Sequence, residues 1–378
     1  AAAMGGVTSI IDFTEIASGE GLLAAFEKRR EEAQGLCAID WGLHACLRGW
    51  NDAAAEAVKK LIDEGVSSFK MFSVYKDRGL MSDDGEIFEA LLNIGRLGGL
   101  VSIHCENNGL VEAHTKEKLR QGDRSPLALA ESRPNISEGE AVQRMITLAE
   151  ASGGKLYIVH MSTKEALRAL KEGQQRGVKV MGETCPHYLI LDREDLEGEM
   201  GHRYTCVPPL RDPLDKLVLW QGLEEGDISV VATDHCPFGS KDKDAHANDF
   251  TQIPLGLPGV ETLLPLLYSK GVGGGHISIN QLVQVLSANP AMIFGMYPQK
   301  GILQSGSDAD IVIFDPKKEV ELSAEDLYMN TDYSPYEGMS LTGYPEATIL
   351  RGELIAREGK FLAPQGFGRF ISRDKMNR

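Results

Sequence analysis

Short β-branched runs alternate with amphipathic stretches through most of the chain, and that alternation restricts the fold more than any other feature. Seven runs read as buried parallel strands: 7–13 (VTSIIDF), 37–44 (CAIDWGLH), 66–72 (VSSFKMF), 100–104 (LVSIH), 156–160 (LYIVH), 178–183 (VKVMGE) and 229–234 (SVVATD). Between them, residues 21–33, 53–63, 85–97, 163–175 and 212–224 carry apolar positions at helical spacing. Another helix is expected from Ser137, where Ser137 and Glu140 have capping-box spacing ahead of Val142, Met145, Ile146 and Ala149, and Gly153 with Gly154 end it. A repeated β-then-α unit predicts a parallel sheet, and the number of units favours an α/β (β/α)8 TIM-like barrel over an open doubly wound sheet.

The count is one strand short of a closed barrel. Ala1 to Met4, followed by Gly5 and Gly6, resemble the end of a helix whose beginning is absent, so a first strand and its loop are expected to be missing from these residues. After the seventh strand run the texture changes. Residues 277–294 are apolar at helical spacing, whereas 301–315 (GILQSGSDADIVIFD) and 347–361 (ATILRGELIAREGKF) read as strands with tight turns, including a hairpin at Glu358-Gly359. The expected division is a barrel domain over 1–300 and a small β-rich domain with a tail over 301–378. Residues 105–136 and 239–249 are polar and are expected to be loops at strand ends, where barrel enzymes build their substrate loops.

Composition excludes several function classes. The 39 basic against 55 acidic residues give a net charge of −16, which disfavours nucleic acid and anionic membranes as partners. Six cysteines without a C-x-x-C pair suggest neither a disulfide framework nor a zinc ribbon, and read as reduced thiols of a cytoplasmic protein. No apolar stretch approaches the roughly 18 to 20 residues that cross a bilayer.

Chemistry concentrates where the strand runs end. Lys70 lies in FKMF, while His104, His160 and Asp234 close the runs LVSIH, LYIVH and SVVATD. A barrel gathers the C-terminal ends of its strands around one mouth, so these distant positions converge. Any one histidine there is most simply a hydrogen-bonded core residue. Two imidazoles and a carboxylate at equivalent strand ends instead make a typical ligand set for Zn2+ or a similar ion, with room for water. Lys70 is the unusual member, because an ammonium facing an apolar interior is costly to desolvate. Burial lowers its pKa, and a neutral amine can take up carbon dioxide as a carbamate, a long carboxylate able to bridge two metals. An ion pair of Lys70 with Asp234 or Glu183 is the other assignment, and the sequence leaves both open.

Further segments extend the pattern. Beyond FKMFSVYK (69–76), HCENNG (104–109), VHMS (159–162) and TDHCPF (233–238), the chain holds GETCPHYL (182–189), VPPLR (207–211), DFTQIPLGLPGVE (249–261), GSDADIVIFD (306–315) and DYSPYEGM (332–339). In this order and spacing they resemble the cyclic amidohydrolases, within them the hydantoinase and dihydropyrimidinase group, over nearly the whole chain.

The resemblance implies two divalent ions, Zn2+ foremost, bridged by carbamylated Lys70, with His104 and His160 on one and Asp234 on the other. It also implies a His-x-His pair ending the first barrel strand, for which these residues have no match; taken alone they would hold one ion well and show little activity. Asp234 is implied as the proton carrier and Tyr75 as the oxyanion donor, a loop residue capping apolar surface being the plainer role for Tyr75. Main-chain groups at Val207 and Leu255 are implied to pair with the ring imide, although many relatives carry Ser and Asn there. His235 is read as a neighbour of the site, Cys105 and Cys236 as packing residues, and His44, His114, His187, His202, His246 and His276 as structural or surface groups, with His44 able to line the pocket.

Three activities compete. The leading one opens a hydantoin or dihydropyrimidine, a small cyclic amide, to an N-carbamoyl amino acid. The second is an allantoinase or dihydroorotase, and the third a metal-free scaffold, against which retention of Lys70, Tyr75, His104, His160 and Asp234 argues. A homo-oligomer, tetramer or dimer, is expected by resemblance, with exposed helices and the tail 367–378 as contacts.

Overall fold

The structure is a computed structural model that describes residues 1–374 apart from Ile16 and Ser18. All seven expected strands form: β1 (Ser9–Phe13), β2 (Asp40–Cys46), β3 (Ser68–Phe72), β4 (Leu100–His104), β5 (Leu156–Ile158), β6 (Val180–Thr184) and β7 (Val230–Val231). They line up in chain order and every pairing is parallel. Among the described residues β1 and β7 have no partner on their outer edges, so the curled sheet stays unclosed, in keeping with a count of seven.

The connecting helices are α1 (Leu22–Ala33), α2 (Asp52–Asp63), α3 (Asp84–Arg96), α4 (Asn108–Arg120), α5 (Pro126–Ser132), α6 (Asn135–Ser152), α7 (Lys164–Gln175), α8 (Pro186–Ile190), α9 (Pro213–Glu224) and α10 (Ser240–Asp244). Local chemistry sets several boundaries. Asn51 caps α2 through Ala54 N, Asp83 and Glu86 form a capping box on α3, and Thr163 caps α7 through Ala166 N. Their buried faces, such as Leu61 and Ile62 of α2 and Leu91 and Ile94 of α3, pack on the outside of the sheet. Inside it, Leu100, Tyr157, Val159, Val230 and Phe294 form a separate apolar plug with Ile11 and Met181.

Three local expectations are corrected. Residues 105–136 are mostly helical, as α4 and α5; α4 buries only Val111 of its own face, which is why its polarity resembled a loop. Helix α6 starts at Asn135 behind extended Pro134, and Ser137 lies buried within its first turn with its carbonyl accepting from Asn107 N, so the capping box is not made. Glu140 instead accepts from Asn107 Nδ2 and Arg144 Nε. Within 239–249 the short helix α10 replaces part of the expected loop.

The C-terminal strands β8 (Ile311–Glu321), β9 (Ser340–Leu350), β10 (Glu353–Arg357) and β11 (Lys360–Phe361) make an antiparallel sheet in the order β11-β10-β9-β8. The strand expected from 301 begins at 311. The predicted hairpin is present, with Glu358 and Gly359 both at positive φ (49° and 73°), as a two-residue primed turn requires. Leu350, Ile355 and Ala356 pack on Ala3, Met4 and Ile39. The expected helix end at residues 1–4 is a run of turns. Residues 368–374 return beneath the sheet, where Ile371 N bonds Trp41 O and Arg373 reaches Ser68 and the Leu43 carbonyl. Residues 375–378, the end of the tail expected to make contacts between copies, lie outside the described residues.

Candidate active site

The parallel register brings the strand ends to one rim. Lys70 is the third residue of β3 and pairs with Cys46 of β2 and Ser102 of β4; His104 ends β4 beside Phe72. His160 follows β5 by two residues and Asp234 follows β7 by three. The His104 and His160 ring centroids are 4.5 Å apart, and the Tyr75 ring is 5.2 Å from His104. The Lys70 amine lies 5.1 Å from the Phe72 ring and 5.6 Å from Phe13, and it feels the charges of both Asp234 and Glu183. Lys70, His104, His160 and Tyr75 are thus brought together, with Asp234 near enough for its charge to act on Lys70.

Their backbone is strained. Six non-glycine residues among those described have positive φ, and three of the six are Tyr75 (70°), His160 (39°) and Asp234 (44°). Such conformations cost about 1 to 3 kcal/mol each and persist where surrounding structure imposes them. At His160 the imposing groups are visible: Glu183 Oε1 accepts from His160 N at 3.2 Å, and the Glu183 carbonyl accepts from Met161 N at 2.7 Å. The Tyr157 hydroxyl in turn donates to Glu183 Oε2 at 2.7 Å.

Burial governs the protonation states. It lowers the pKa of Lys70, against the pull of Cys46, Asp234 and Glu183. The ion pair that competed with a reactive amine is not made, since Lys70 has no carboxylate within 4.0 Å among the described residues. Burial also drives His104 and His160 down, so both rings are neutral at pH 7. It raises Asp234, whose side chain is only half-buried by solvent contact but enclosed by protein on its other sides. Glu183 is pushed up to about 7.

A metal ion needs neutral imidazoles and unpartnered donor atoms. His160 Nδ1 is a buried atom without a hydrogen-bond partner. His104 Nε2 lies 2.7 Å from Glu106 Oε2, the kind of carboxylate partner that metal-bound imidazoles use to fix their orientation. These residues fit an ion. Among the described residues no three His, Cys, Asp or Glu side chains are arranged to hold one by themselves, so a full protein ligand set would also need Lys70.

Val207 and Leu255 pack on the same small apolar cluster of Ala128, Leu129, Phe250 and Ile253. Their segments are tied together where Gly256 N bonds Thr205 O at 3.0 Å. They are tied to the end of β7 by Cys236 N to Leu257 O and by His235 Nδ1, which accepts from Gly259 N (3.0 Å) and Val260 N (3.3 Å). His235 therefore fastens a loop next to Asp234. Cys105 is buried, but Cys236 is exposed, which corrects its reading as a packing residue. His44 is buried between Phe13 and Phe294 and bonds Ser68 Oγ at 2.6 Å.

Sequence reasoning missed a buried charged network beside the imidazoles. Glu106 Oε2 also meets Arg133 at 2.5 Å, and the Arg133 guanidinium lies 5.4 Å from the centre of the Tyr75 ring. Burial works to raise Glu106, but Arg133 and His104 hold it at about 2. Arg211, the last residue of VPPLR, donates to Ser162 Oγ (2.9 Å) and to the Arg133 carbonyl, and pairs with Glu138 at 3.3 Å. The available signal was Glu106 itself, two residues after His104.

Comparison with known proteins agrees with this architecture. A model of the Amidohydrolase family matches residues 1–355. The chain is 40% identical over 379 residues to the D-hydantoinase of Geobacillus stearothermophilus, covering 99% of this chain and 80% of that protein. It shares 39% identity over 376 residues with the D-phenylhydantoinase of Escherichia coli O1:K1 / APEC, covering 99% and 81%. The crystal structure of dihydropyrimidinase from Brevibacillus agri NCHU1002 superposes with a TM-score of 0.97 at 41% identity, over 100% of this chain and 82% of that one. With this fold, these strand-end residues and this similarity along its length, the chain belongs to the amidohydrolase family, in the hydantoinase and dihydropyrimidinase group.

Proposed function

We propose that the chain hydrolyses a cyclic amide, opening a hydantoin or dihydropyrimidine ring to an N-carbamoyl amino acid. The observation that carries this reading is the pair of neutral imidazoles, His104 and His160, with ring centroids 4.5 Å apart beside a buried lysine that makes no ion pair among the described residues. Relatives at about 40% identity, a D-hydantoinase and a D-phenylhydantoinase, supply the substrate class.

In this reading Lys70 reacts as the free amine with carbon dioxide and becomes a carbamate. That carbamate with His104 and His160 would hold one divalent ion, Zn2+ foremost, and with Asp234 a second. Ions bound there would supply hydroxide at neutral pH and polarise the substrate carbonyl. The chain's own groups do the rest. Asp234 takes the proton of the attacking water and returns it to the leaving ring nitrogen. The Tyr75 hydroxyl donates to the oxygen that gains charge as the carbonyl becomes tetrahedral, a contribution of about 3 to 4 kcal/mol for single donors of this type. Main-chain groups at Val207 and Leu255 hold the ring imide, on a loop fastened by His235.

Residues 1–300 carry this chemistry as a barrel domain, with 301–378 as its β-rich companion, in a cytoplasmic homo-oligomer, a tetramer or dimer. The test is turnover of hydantoin, dihydrouracil, allantoin and dihydroorotate by metal-replete protein extended at its N-terminus with a strand that ends in a His-x-His pair, with metal content and the mass of the Lys70 peptide measured alongside. Ring opening of the first two is expected; no turnover of any ring would overturn the reading in favour of a scaffold.

A further inference from the structure

Arg133 stands where three parts of the site meet. Its side chain reaches Glu106 at 2.5 Å, and that same carboxylate oxygen takes His104 Nε2 at 2.7 Å. Its guanidinium carbon lies 5.4 Å from the centre of the Tyr75 ring. Its carbonyl accepts from Arg211, at the end of the segment that begins with Val207. Arg133 and Glu106 are both buried, so each needs the other as counter-charge.

Tyr75 needs such a partner. Its backbone sits at φ 70°, where a non-glycine residue is unfavourable, and the residues that follow it, Lys76, Asp77 and Arg78, are exposed. The ring meets Phe72 edge-on and His104 at a tilt, and lies under Arg78 from the solvent side. Of the cations near it, Arg133 is the buried one, with a planar group locked in place by a carboxylate.

We propose that Arg133 is a positioning residue, holding the Tyr75 phenol in register with the His104 and His160 imidazoles through a fixed chain, Tyr75 to Arg133 to Glu106 to His104. The inference rests on the function proposed above, in which Tyr75 is an oxyanion donor. Arg133 touches no reacting atom. It sets the distance between the group that stabilises charge and the groups that bear the metal.

The experiment is a double-mutant cycle on the full chain with Arg133→Met, Tyr75→Phe and their combination. Arg133→Met is expected to lower kcat about 10²-fold with little change in KM, the loss typical of a misplaced group. In the Tyr75→Phe background it should cost no more than about twofold, because the two act through one hydroxyl. Equal losses in both backgrounds would overturn the proposal, as would full activity in Arg133→Lys, which keeps a charge but not the planar contact. Arg133→Met leaves Glu106 buried and unpaired; should it fail to fold, Arg133→Met with Glu106→Gln removes both charges and takes its place in the cycle.

A second readout does not depend on turnover. With 3-fluorotyrosine incorporated, the fluorine signal missing from Tyr75→Phe identifies this residue among the 10 tyrosines. It should shift and broaden in Arg133→Met and stay sharp in Arg78→Met. An unchanged signal refutes the positioning role. If the unaltered chain opens no ring, the functional reading fails and this signal alone decides the role of Arg133.

Discussion

The imidazoles of His104 and His160 meet edge to face, their centroids 4.5 Å apart and their planes at 71°. One ring is fixed by Glu106, whereas the other leaves Nδ1 unpartnered on a backbone at φ 39°. His160 therefore contributes little to the stability of the metal-free fold. Replacing it with asparagine, which like histidine tolerates the left-handed region, is expected to change metal-free stability by no more than about 1 kcal/mol while abolishing metal retention. Chemical denaturation beside metal analysis checks this; a clear loss of stability would show that the imidazole is structural.

Lys70 makes the same point from the side of charge. Its amine is buried against Phe13 and Phe72 without an ion pair, so the apolar, similarly shaped Lys70→Met should leave the metal-free protein as stable or more stable. Activity should vanish, and the dependence of metal loading on dissolved carbon dioxide, expected in the unaltered protein, should disappear with it. Loading of the unaltered protein that is equal in carbon dioxide-free and bicarbonate buffers would sink the carbamate.

The pH dependence of stability separates the buried carboxyls. Glu106 is held at about 2 in the fold, below its ordinary 4.5, so the stability it brings is present above pH 4.5 and is lost as pH falls toward 2, about 3 kcal/mol in all. Glu138 and Glu183 are raised to about 7, so they take up protons in the fold first, and between pH 7 and 4.5 they add stability as pH falls. For the metal-free protein, the stability gap between the unaltered chain and Glu106→Gln should be widest near neutral pH and close below pH 4.5. A gap independent of pH would remove Glu106 from this role.

What the sequence made legible follows from what each signal encodes. Strands β1 to β7 announce themselves because a parallel strand covered on both faces must be apolar or small throughout, as LVSIH is. His104 and Asp234 stand out by breaking that rule where strand runs end, and Lys70 by breaking it in the middle of β3. Helix α4 was not legible, since a helix that buries one residue has no periodic stripe to read, and α5, with seven residues, is too short to show one. Nor was Arg133: its partners Glu106, Tyr75 and Arg211 lie 27, 58 and 78 residues away, and only the fold turns that spacing into contact.

Gly256 offers a test of the loop that carries Leu255. A Cβ at this position would stand 2.5 Å from the Cys236 carbonyl oxygen and 2.7 Å from the Cys236 Cβ, so neither side can accept alanine without moving. Backbone cannot yield there as a side-chain tip would, because Cys236 N is already bonded to Leu257 O and His235 Nδ1 to Gly259 N and Val260 N. Gly256→Ala should therefore push the Leu255 main chain away from the end of β7 while leaving His104 and His160 untouched. Steady-state kinetics should show KM raised about tenfold with kcat falling less, the pattern of lost binding shared by substrate and transition state. Metal content should be unchanged, and a variant with unaltered KM would remove this loop from substrate binding.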